Sequence, residues 1–261
     1  MELSTIIGMS LGLISVLVGM ALKGASPMAL INPAAFLIIV VGTAAAVLNA
    51  FPLEIVKKFP TLCKKLITKV QFMPKIEMLK MFVELSQTAR REGILALESR
   101  VEEISDPFLK SGLSMVIDGL DPDFVGDVLD AEIQAMEERH RVGALIFTQA
   151  GTYAPTLGVL GAVIGLIAAL GNLDDIDKLG HSIAAAFVAT LLGIFTGYVI
   201  WFPFANKLKM MSRQEVDVKK MMVEGILSLQ AGDSPTAIEA KLMAFLSRGD
   251  RDRLKAKTEE G

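Results

Sequence analysis

The chain has 261 residues, of which 52% are hydrophobic and only 21% are charged, and its formal net charge is −3. The hydrophobic residues occur in long uninterrupted runs, which excludes an ordinary soluble domain. The basic and acidic residues are interspersed, so the charge distribution gives no support for nucleic-acid binding.

Long apolar segments predict four membrane spans. Asp, Glu, Lys and Arg are absent from Leu3–Leu22, Gly24–Leu53, Val142–Leu173 and Leu179–Asn206. A bilayer core about 30 Å thick needs about 20 helical residues, so each segment is long enough for one crossing. Within the second segment, Asn32 and Pro33 are typical of a helix start, and Phe51 precedes a proline. The N-terminal segment lacks a basic region and a cleavage site, so we expect it to be retained as the first span.

The distribution of basic residues predicts the orientation. They follow span two, precede span three and follow span four at Lys57, Lys58, Lys64, Lys65, Lys69, Arg139, Arg141, Lys207, Lys209 and Arg213. The connector between spans three and four is acidic instead. By the positive-inside rule, both termini and the segment between spans two and three are expected in the cytoplasm.

The cytoplasmic segments are predicted to be helical. Asp106, Asp121 and Ser234 each precede a proline, as a helix cap does, and the helix opened at Asp121 has no breaker before span three. The helical period of 75–103 is interrupted near Gly93. Span four is expected to continue as an amphipathic helix to about Gly232. From Gly249 onward no apolar face is visible, so disorder is expected there.

We therefore predict an all-α integral membrane protein with four transmembrane helices and a helical cytoplasmic domain between spans two and three. The predicted divisions are 1–53 for spans one and two, 54–141 for the cytoplasmic domain, 142–206 for spans three and four, and 207–261 for the cytoplasmic tail.

Ionisable residues are nearly absent from the spans. The exceptions are His181 at the outer edge of span four and the neutral Tyr153 and Tyr198. Intramembrane carboxylates usually mark ion pathways, so an ion-driven function would need one from a partner helix; a scaffold without ion function stays open. Cys63 is the only cysteine, and His140 and His181 are far apart. No metal, no cofactor and no enzymatic activity are expected.

Small residues recur every four positions in spans three and four. They are Ala150, Ala154, Gly158 and Ala162, with Gly161, Gly165 and Ala169 on an adjoining row, and Ala185, Ala189, Gly193 and Gly197. Such rows let helices approach closely, and Thr190 places a hydroxyl beside the second row. Pro155 lies inside span three and Pro203 at the end of span four, where they allow either flexing or static kinks. A channel wall or a ring interface is the favoured interpretation.

The motifs resemble the MotA family of flagellar motor proteins. The run from Ala186 to Phe195, followed by Pro203, resembles the family signature, and similarity extends through the block 149–158 and through 89–93. This resemblance implies a bacterial inner-membrane ring of five copies around two transmembrane helices of MotB, which supplies the ion-carrying aspartate. The small-residue rows would then form the ring and partner interfaces.

The same resemblance implies roles for individual residues. Thr190 matches a threonine that faces the MotB aspartate, and Pro155 and Pro203 match two functional prolines. Ala162 and Tyr198 are assigned to the same ion-path and partner-facing side. Sodium-driven members typically carry threonine at the position of Ala162, and alanine offers no oxygen ligand, so protons are the expected ion.

Rotor contacts are implied on the cytoplasmic domain. Arg90 and Glu98 occupy the family positions that contact the rotor protein FliG, and on one helix they would share a broad exposed side. The alternative function is an ExbB/TolQ-like energiser of outer-membrane transport, but those proteins generally lack the first hairpin. The missing intramembrane carboxylate argues against a transporter acting alone.

Overall fold

The structure of the protein, a computed structural model, describes residues 3–68 and 72–259, with side chains described through Leu254. These residues form helices and turns without strands, which confirms the all-α prediction. The helices are α1 (Leu3–Leu22), α2 (Pro33–Ala50), α3 (Leu53–Val56), α4 (Phe59–Ile67), α5 (Lys75–Glu92), α6 (Glu98–Glu102), α7 (Pro107–Ile117), α8 (Pro122–Leu170), α9 (Ile176–Gln230), α10 (Pro235–Met243) and α11 (Arg248–Glu259).

Four of these helices, α1, α2, α8 and α9, are long and apolar enough to cross a membrane. They coincide with the four predicted spans. Lys69, one of the lysines expected to follow span two, lies outside the described residues. Two spans contain a widened π-helical turn, at Leu37–Val41 in α2 and at Thr196–Trp201 in α9.

The predicted helix starts are confirmed. The side chains of Asn32, Asp106 and Ser234 each accept a hydrogen bond from the backbone N–H three residues later, at 3.0 to 3.2 Å. These bonds satisfy donors that the first helical turn leaves unpaired, and the proline that follows each cap needs none. The helix opened at Asp121 continues into span three without a break, as predicted.

The described residues divide into two compact units, drawn from residues 1–70 and 139–210 and from residues 71–138 and 211–261. Segment 54–68 therefore groups with the apolar spans, although it is not itself a span. The tail beyond 210 groups with the central helices.

An aromatic cluster joins α4, α8 and α9 in the first unit. The ring of Phe147 lies 5.1 Å from that of Phe59 and 6.2 Å from that of Trp201, measured between centroids. Helix α4 also buries Leu66, which is 1% exposed, while Cys63 is half-buried. Burial raises the pKa of the Cys63 thiol. An amphipathic helix next to the spans is thus held by large apolar side chains.

Polar contacts hold the start of α1. The Thr5 hydroxyl donates to the carbonyl oxygen of Leu66 at 3.1 Å, and the Lys207 ammonium donates to Ser4 Oγ at 3.2 Å and to Thr5 Oγ1. Thr5 is buried, so these bonds compensate the loss of its hydration. The remainder of α1 is largely uncovered within one chain.

The second unit has a hydrophobic core contributed by α5, α7, α10 and the parts of α8 and α9 that belong to this unit. Its fully buried side chains include Met78, Phe82, Leu97, Leu109, Leu113, Leu129, Met221, Met222 and Ile226. Gly225 is required for this packing, because a Cβ there would lie 2.5 Å from the Phe82 ring.

Disorder was expected from Gly249 onward. Residues Arg248–Glu259 form α11. Leu254 is only 6% exposed and joins the core of the second unit, and Arg251 Nε donates to the carbonyl oxygen of Leu246 at 3.0 Å. The sequence shows no apolar face in this segment. It is ordered by one buried leucine and by a hydrogen bond from an arginine.

Candidate functional site

Helices α8 and α9 approach each other closely because small residues face each other at their contact. A Cβ on Gly158 would lie 2.9 Å from the carbonyl oxygen of Ala189, and one on Gly193 would lie 2.7 Å from the carbonyl oxygen of Ala154. These spaces cannot hold a methyl group, so the two backbones are in direct contact. Close backbone approach is how membrane helices associate without a hydrophobic driving force.

This contact corrects the expectation that the small-residue rows form ring and partner interfaces. Gly158 faces Gly193 within the same chain, and Gly165 faces Ala186. The central members of both rows are therefore buried in the contact between the two spans of one chain. A surface for another chain must be built from the residues that flank this contact.

Thr190 and Ala162 lie at the same level of the helix pair. Their sequence neighbours meet directly, since a Cβ on Gly161 would lie 3.0 Å from the Cβ of Ala189. Both residues are half-buried. The Thr190 hydroxyl donates to the carbonyl oxygen of Ala186 at 3.4 Å, a long bond, and its lone pairs remain able to accept.

Pro155 lies within α8 and packs on α9. Its Cγ is 2.7 Å from where a Cβ on Gly197 would be. Proline has no N–H for the carbonyl of residue i−4, here Gly151, and that oxygen is 3.0 Å from the same Gly197 position. Because of Pro155, the carbonyl of Gly151 lacks its usual helical donor, and this carbonyl faces Gly197 of α9. Only a glycine fits at position 197, because a Cβ there would be too close to both residues.

Pro203 lies two residues after the π-helical turn Thr196–Trp201, and it is exposed. A proline removes a backbone bond and crowds the preceding turn, and a widened turn relieves that crowding. The Thr196 hydroxyl donates to the carbonyl oxygen of Leu192 at 2.8 Å where the π-turn begins. We did not predict this turn from the sequence; Pro203 was the available signal.

Tyr198 lies within the π-turn and points away from the chain. It is 64% exposed, and its ring centroid is 5.3 Å from that of Phe202. The structure therefore separates Tyr198 from the buried α8–α9 contact. Of the other four residues predicted for the ion path, Pro155, Ala162 and Thr190 lie at or beside that contact, whereas Pro203 is exposed further along α9.

Arg90 and Glu98 are both exposed, but they do not share one helix as expected. Helix α5 ends at Glu92, Gly93 has a φ of +89°, and a short 3-10 turn at Ile94–Leu97 comes before Glu98 begins α6. Positive φ is accessible to glycine at little cost, so the helix ends there. Neither side chain forms a hydrogen bond or ion pair with the residues that the structure describes.

Within residues 3–68 and 72–259, no three His, Cys, Asp or Glu side chains come together as possible ligands.

The fold and site define a class of protein: a four-span helical membrane protein in which two spans pack tightly, with the Thr190 hydroxyl beside their contact and no carboxylate in residues 142–173 or 179–206. A sequence profile of the MotA/TolQ/ExbB proton channel family matches residues 100–221. Motility protein A of Bacillus subtilis is 56% identical over 96% of this chain and 93% of its own length. Motility protein A of Borreliella burgdorferi is 39% identical over 97% of each chain.

Solved structures are similar over nearly the whole chain. The flagellar MotAB stator complex from Bacillus subtilis contains a chain with a TM-score of 0.91 and 56% identity, covering 95% of this chain and 98% of that one. The MotAB structure from C. jejuni has a TM-score of 0.90 and 35% identity, covering 95% and 97%. This chain belongs to the MotA/TolQ/ExbB proton channel family.

Proposed function

We propose that this chain is the ring-forming subunit of a flagellar stator, which converts ion flux into torque on the rotor protein FliG. A MotB-like single-span partner supplies the ion-carrying aspartate, with five copies of this chain around two of the partner. The observation that carries the proposal is the α8–α9 pair, which brings Thr190 and Ala162 to one level within apolar segments, 142–173 and 179–206, that contain no carboxylate.

The ion path is incomplete within one chain. A proton or metal ion crossing apolar lipid needs a group that can carry it or compensate its charge, and such groups are costly inside a membrane unless they are functional. Thr190 offers an oxygen beside the packed pair, but a hydroxyl does not ionise there. The relatives in the two similar structures are found in complexes named MotAB, which supports a partner chain as the source of the acid.

Protons are the proposed ion. The half-buried Ala162 has no side-chain oxygen to replace the water that sodium would lose. Swimming speed should therefore follow the proton gradient and stay constant when external sodium is changed at fixed pH; a speed that follows sodium contradicts this choice.

The proposed placement is the bacterial inner membrane, with both termini and the second unit in the cytoplasm. The basic residues at the ends of the spans support this orientation. There Arg90 and Glu98, exposed and without ion pairs to described residues, would be available to the charged surface of FliG. The energiser alternative is less supported, because helices α1 and α2 are present and the similar relatives carry motility names.

Complementation tests the proposal. A bacterium without its own stator genes should swim when this chain is expressed with a MotB-like partner. The control is the same partner with its intramembrane aspartate changed to asparagine, which should support membrane insertion of both chains but neither ion flux nor swimming. Swimming with this chain alone, or with the asparagine partner, contradicts the proposal.

A further inference from the structure

A pocket of about 420 Å³ lies beside Arg90 in the second unit. It forms where α7 and α9 end, next to the last turn of α5. Gly119 and Gly232, which follow α7 and α9, both line it and have φ values of +73° and +71°. Left-handed glycines turn the chain sharply away from a helix end, and here they leave a concave space between the ends.

Two hydrogen bonds fix the walls of this pocket. The Ser86 hydroxyl of α5 donates to the carbonyl oxygen of Asp233 at 3.1 Å, and Gln230 Nε2 of α9 donates to the carbonyl oxygen of Leu120 at 2.6 Å. Each bond joins a helix to a turn that follows a different helix. The pocket is therefore formed in the free chain, so an occupant need not order its walls.

The lining combines apolar walls with one uncompensated charge. Its apolar members are Ala89, Ile94, Val116, Leu120, Pro122 and Leu229. Two charged residues are among the described lining, Arg90 and Asp233, and Asp233 Oδ2 is 2.9 Å from the Lys241 ammonium. Arg90 has no such partner among the described residues, so the charge available at the pocket mouth is positive.

We propose that this pocket receives a bulky apolar side chain of the rotor protein, from a segment whose neighbouring acidic side chain pairs with Arg90. The inference rests on the proposed stator function and adds an apolar anchor to the charged contact. The volume falls within the range of about 300 to 1,000 Å³ typical of binding pockets, and preformed apolar pockets are where interface affinity concentrates. We expect an acidic side chain on the rotor segment for two reasons. The guanidinium of Arg90 has no ion pair among the described residues, and Arg90 belongs to the proposed rotor surface.

Filling the pocket tests the inference. The full complex of this chain with its MotB-like partner, purified in nanodiscs, is measured for binding to purified FliG, and its proton flux is measured in liposomes. Ala89→Phe places a ring in the pocket, and Gln87→Phe places the same ring at an exposed position of α5 outside the lining. We expect at least a tenfold loss of FliG binding for Ala89→Phe, less than a twofold change for Gln87→Phe, and unchanged flux for both.

A second pair of variants decides the matter if Ala89→Phe does not fold. Leu120 and Val128 are 38% and 37% exposed, and only Leu120 lines the pocket. Leu120→Asp should weaken FliG binding at least tenfold and Val128→Asp less than twofold. The inference is overturned if the folded pocket variants bind FliG within twofold of the unmodified complex.

Arg90→Glu distinguishes a failure of the pocket inference from a failure of the proposed rotor contact. If Arg90→Glu abolishes binding while the pocket variants do not, the pocket inference fails and the proposed rotor contact stands. If Arg90→Glu also leaves binding unchanged, the rotor contact itself is contradicted.

Discussion

Gly158 and Gly193 face each other across α8 and α9 so closely that a Cβ built on Gly193 would lie 2.8 Å from the Cα of Gly158. Neither position has room for a methyl group. The separation of the two spans is therefore set by these glycines, in the same contact that places Thr190 and Ala162 at one level.

Gly193→Ala should destabilise the membrane unit. Overpacking a close contact costs about 1 to 3 kcal/mol, because the helices must move apart. Thermal unfolding of the purified complex should begin several degrees lower, and proton flux should fall. Gly180→Ala is the matched control in the same helix, since nothing lies within 4 Å of its Cβ position. Equal melting temperatures for the two variants would contradict the role of the close contact.

Thr190→Val should reduce proton flux by roughly tenfold. The substitution keeps the side-chain shape but removes a hydroxyl whose hydrogen bond is worth about 1.4 kcal/mol. Thr190→Ser keeps the hydroxyl and should retain most of the flux. Thr156→Val is the control, because Thr156 is an exposed threonine of α8 whose hydroxyl donates to backbone carbonyls of its own helix. The measurement is flux into liposomes with the MotB-like partner present; full flux in Thr190→Val would sink the assignment.

Reversing the two exposed charges that are proposed to contact the rotor, with Arg90→Glu and Glu98→Lys together, should impair swimming. The reason is loss of charge complementarity with FliG, which steers docking, while membrane insertion and flux remain. The control reverses two exposed charges earlier on α5, Lys80→Glu and Glu77→Lys, and should swim normally. Swimming speed in soft agar and flux in liposomes distinguish the outcomes, and normal swimming of the Arg90 and Glu98 variant contradicts the contact.

Cys63 should react slowly with maleimides in the folded protein. Burial raises the pKa of its thiol, so less of the reactive thiolate is present at neutral pH. The alkylation rate should rise with pH and, at pH 8, be several-fold slower than for the same chain unfolded in SDS. Equal rates in the folded and unfolded chain would show that the thiol is not shielded.

Lys241 should contribute to the stability of the second unit in a pH-dependent way. Its ammonium is 2.9 Å from Asp233 Oδ2 and 3.2 Å from Glu224 Oε1, and it lowers the pKa of Asp233 chiefly by hydrogen bonding. Because the pKa of Asp233 is lower in the folded state, its ionised carboxylate stabilises the fold at pH values above the unfolded-state pKa of about 4. This contribution is lost as the pH falls through the folded-state pKa of Asp233. Since Lys241 is half-exposed, Lys241→Met should cost at most about 1 kcal/mol at pH 7.

The measurement for Lys241 is thermal unfolding of the purified complex between pH 3 and 7. The difference between Lys241→Met and the unmodified chain should shrink below about pH 4, as Asp233 is protonated. Lys220→Met, at an exposed lysine of α9, should match the unmodified chain at every pH. A constant difference across this range argues that the lysine acts through packing instead.

Local sequence signals determined most of the secondary structure of this protein, with the π-helical turns and α11 as exceptions. The four spans follow from apolar length, and the helices opening after Asn32, Asp106 and Ser234 follow from a cap and a proline, because a helix start must satisfy its own free N–H groups within one turn. The absence of a carboxylate from the spans was also readable directly. None of these features depends on residues distant in the chain.

Only the tertiary structure decided which surfaces these elements use. The small-residue rows were visible in the sequence, but their pairing with each other inside one chain depends on the register between α8 and α9. The pocket beside Arg90 likewise brings together Ala89, Leu120 and Gln230, and α11 is ordered by one buried leucine that no periodic pattern marks. Packing is a relation between residues far apart in the chain, whereas periodicity and capping are local, and that is why the sequence determined the helices and the fold determined what they face.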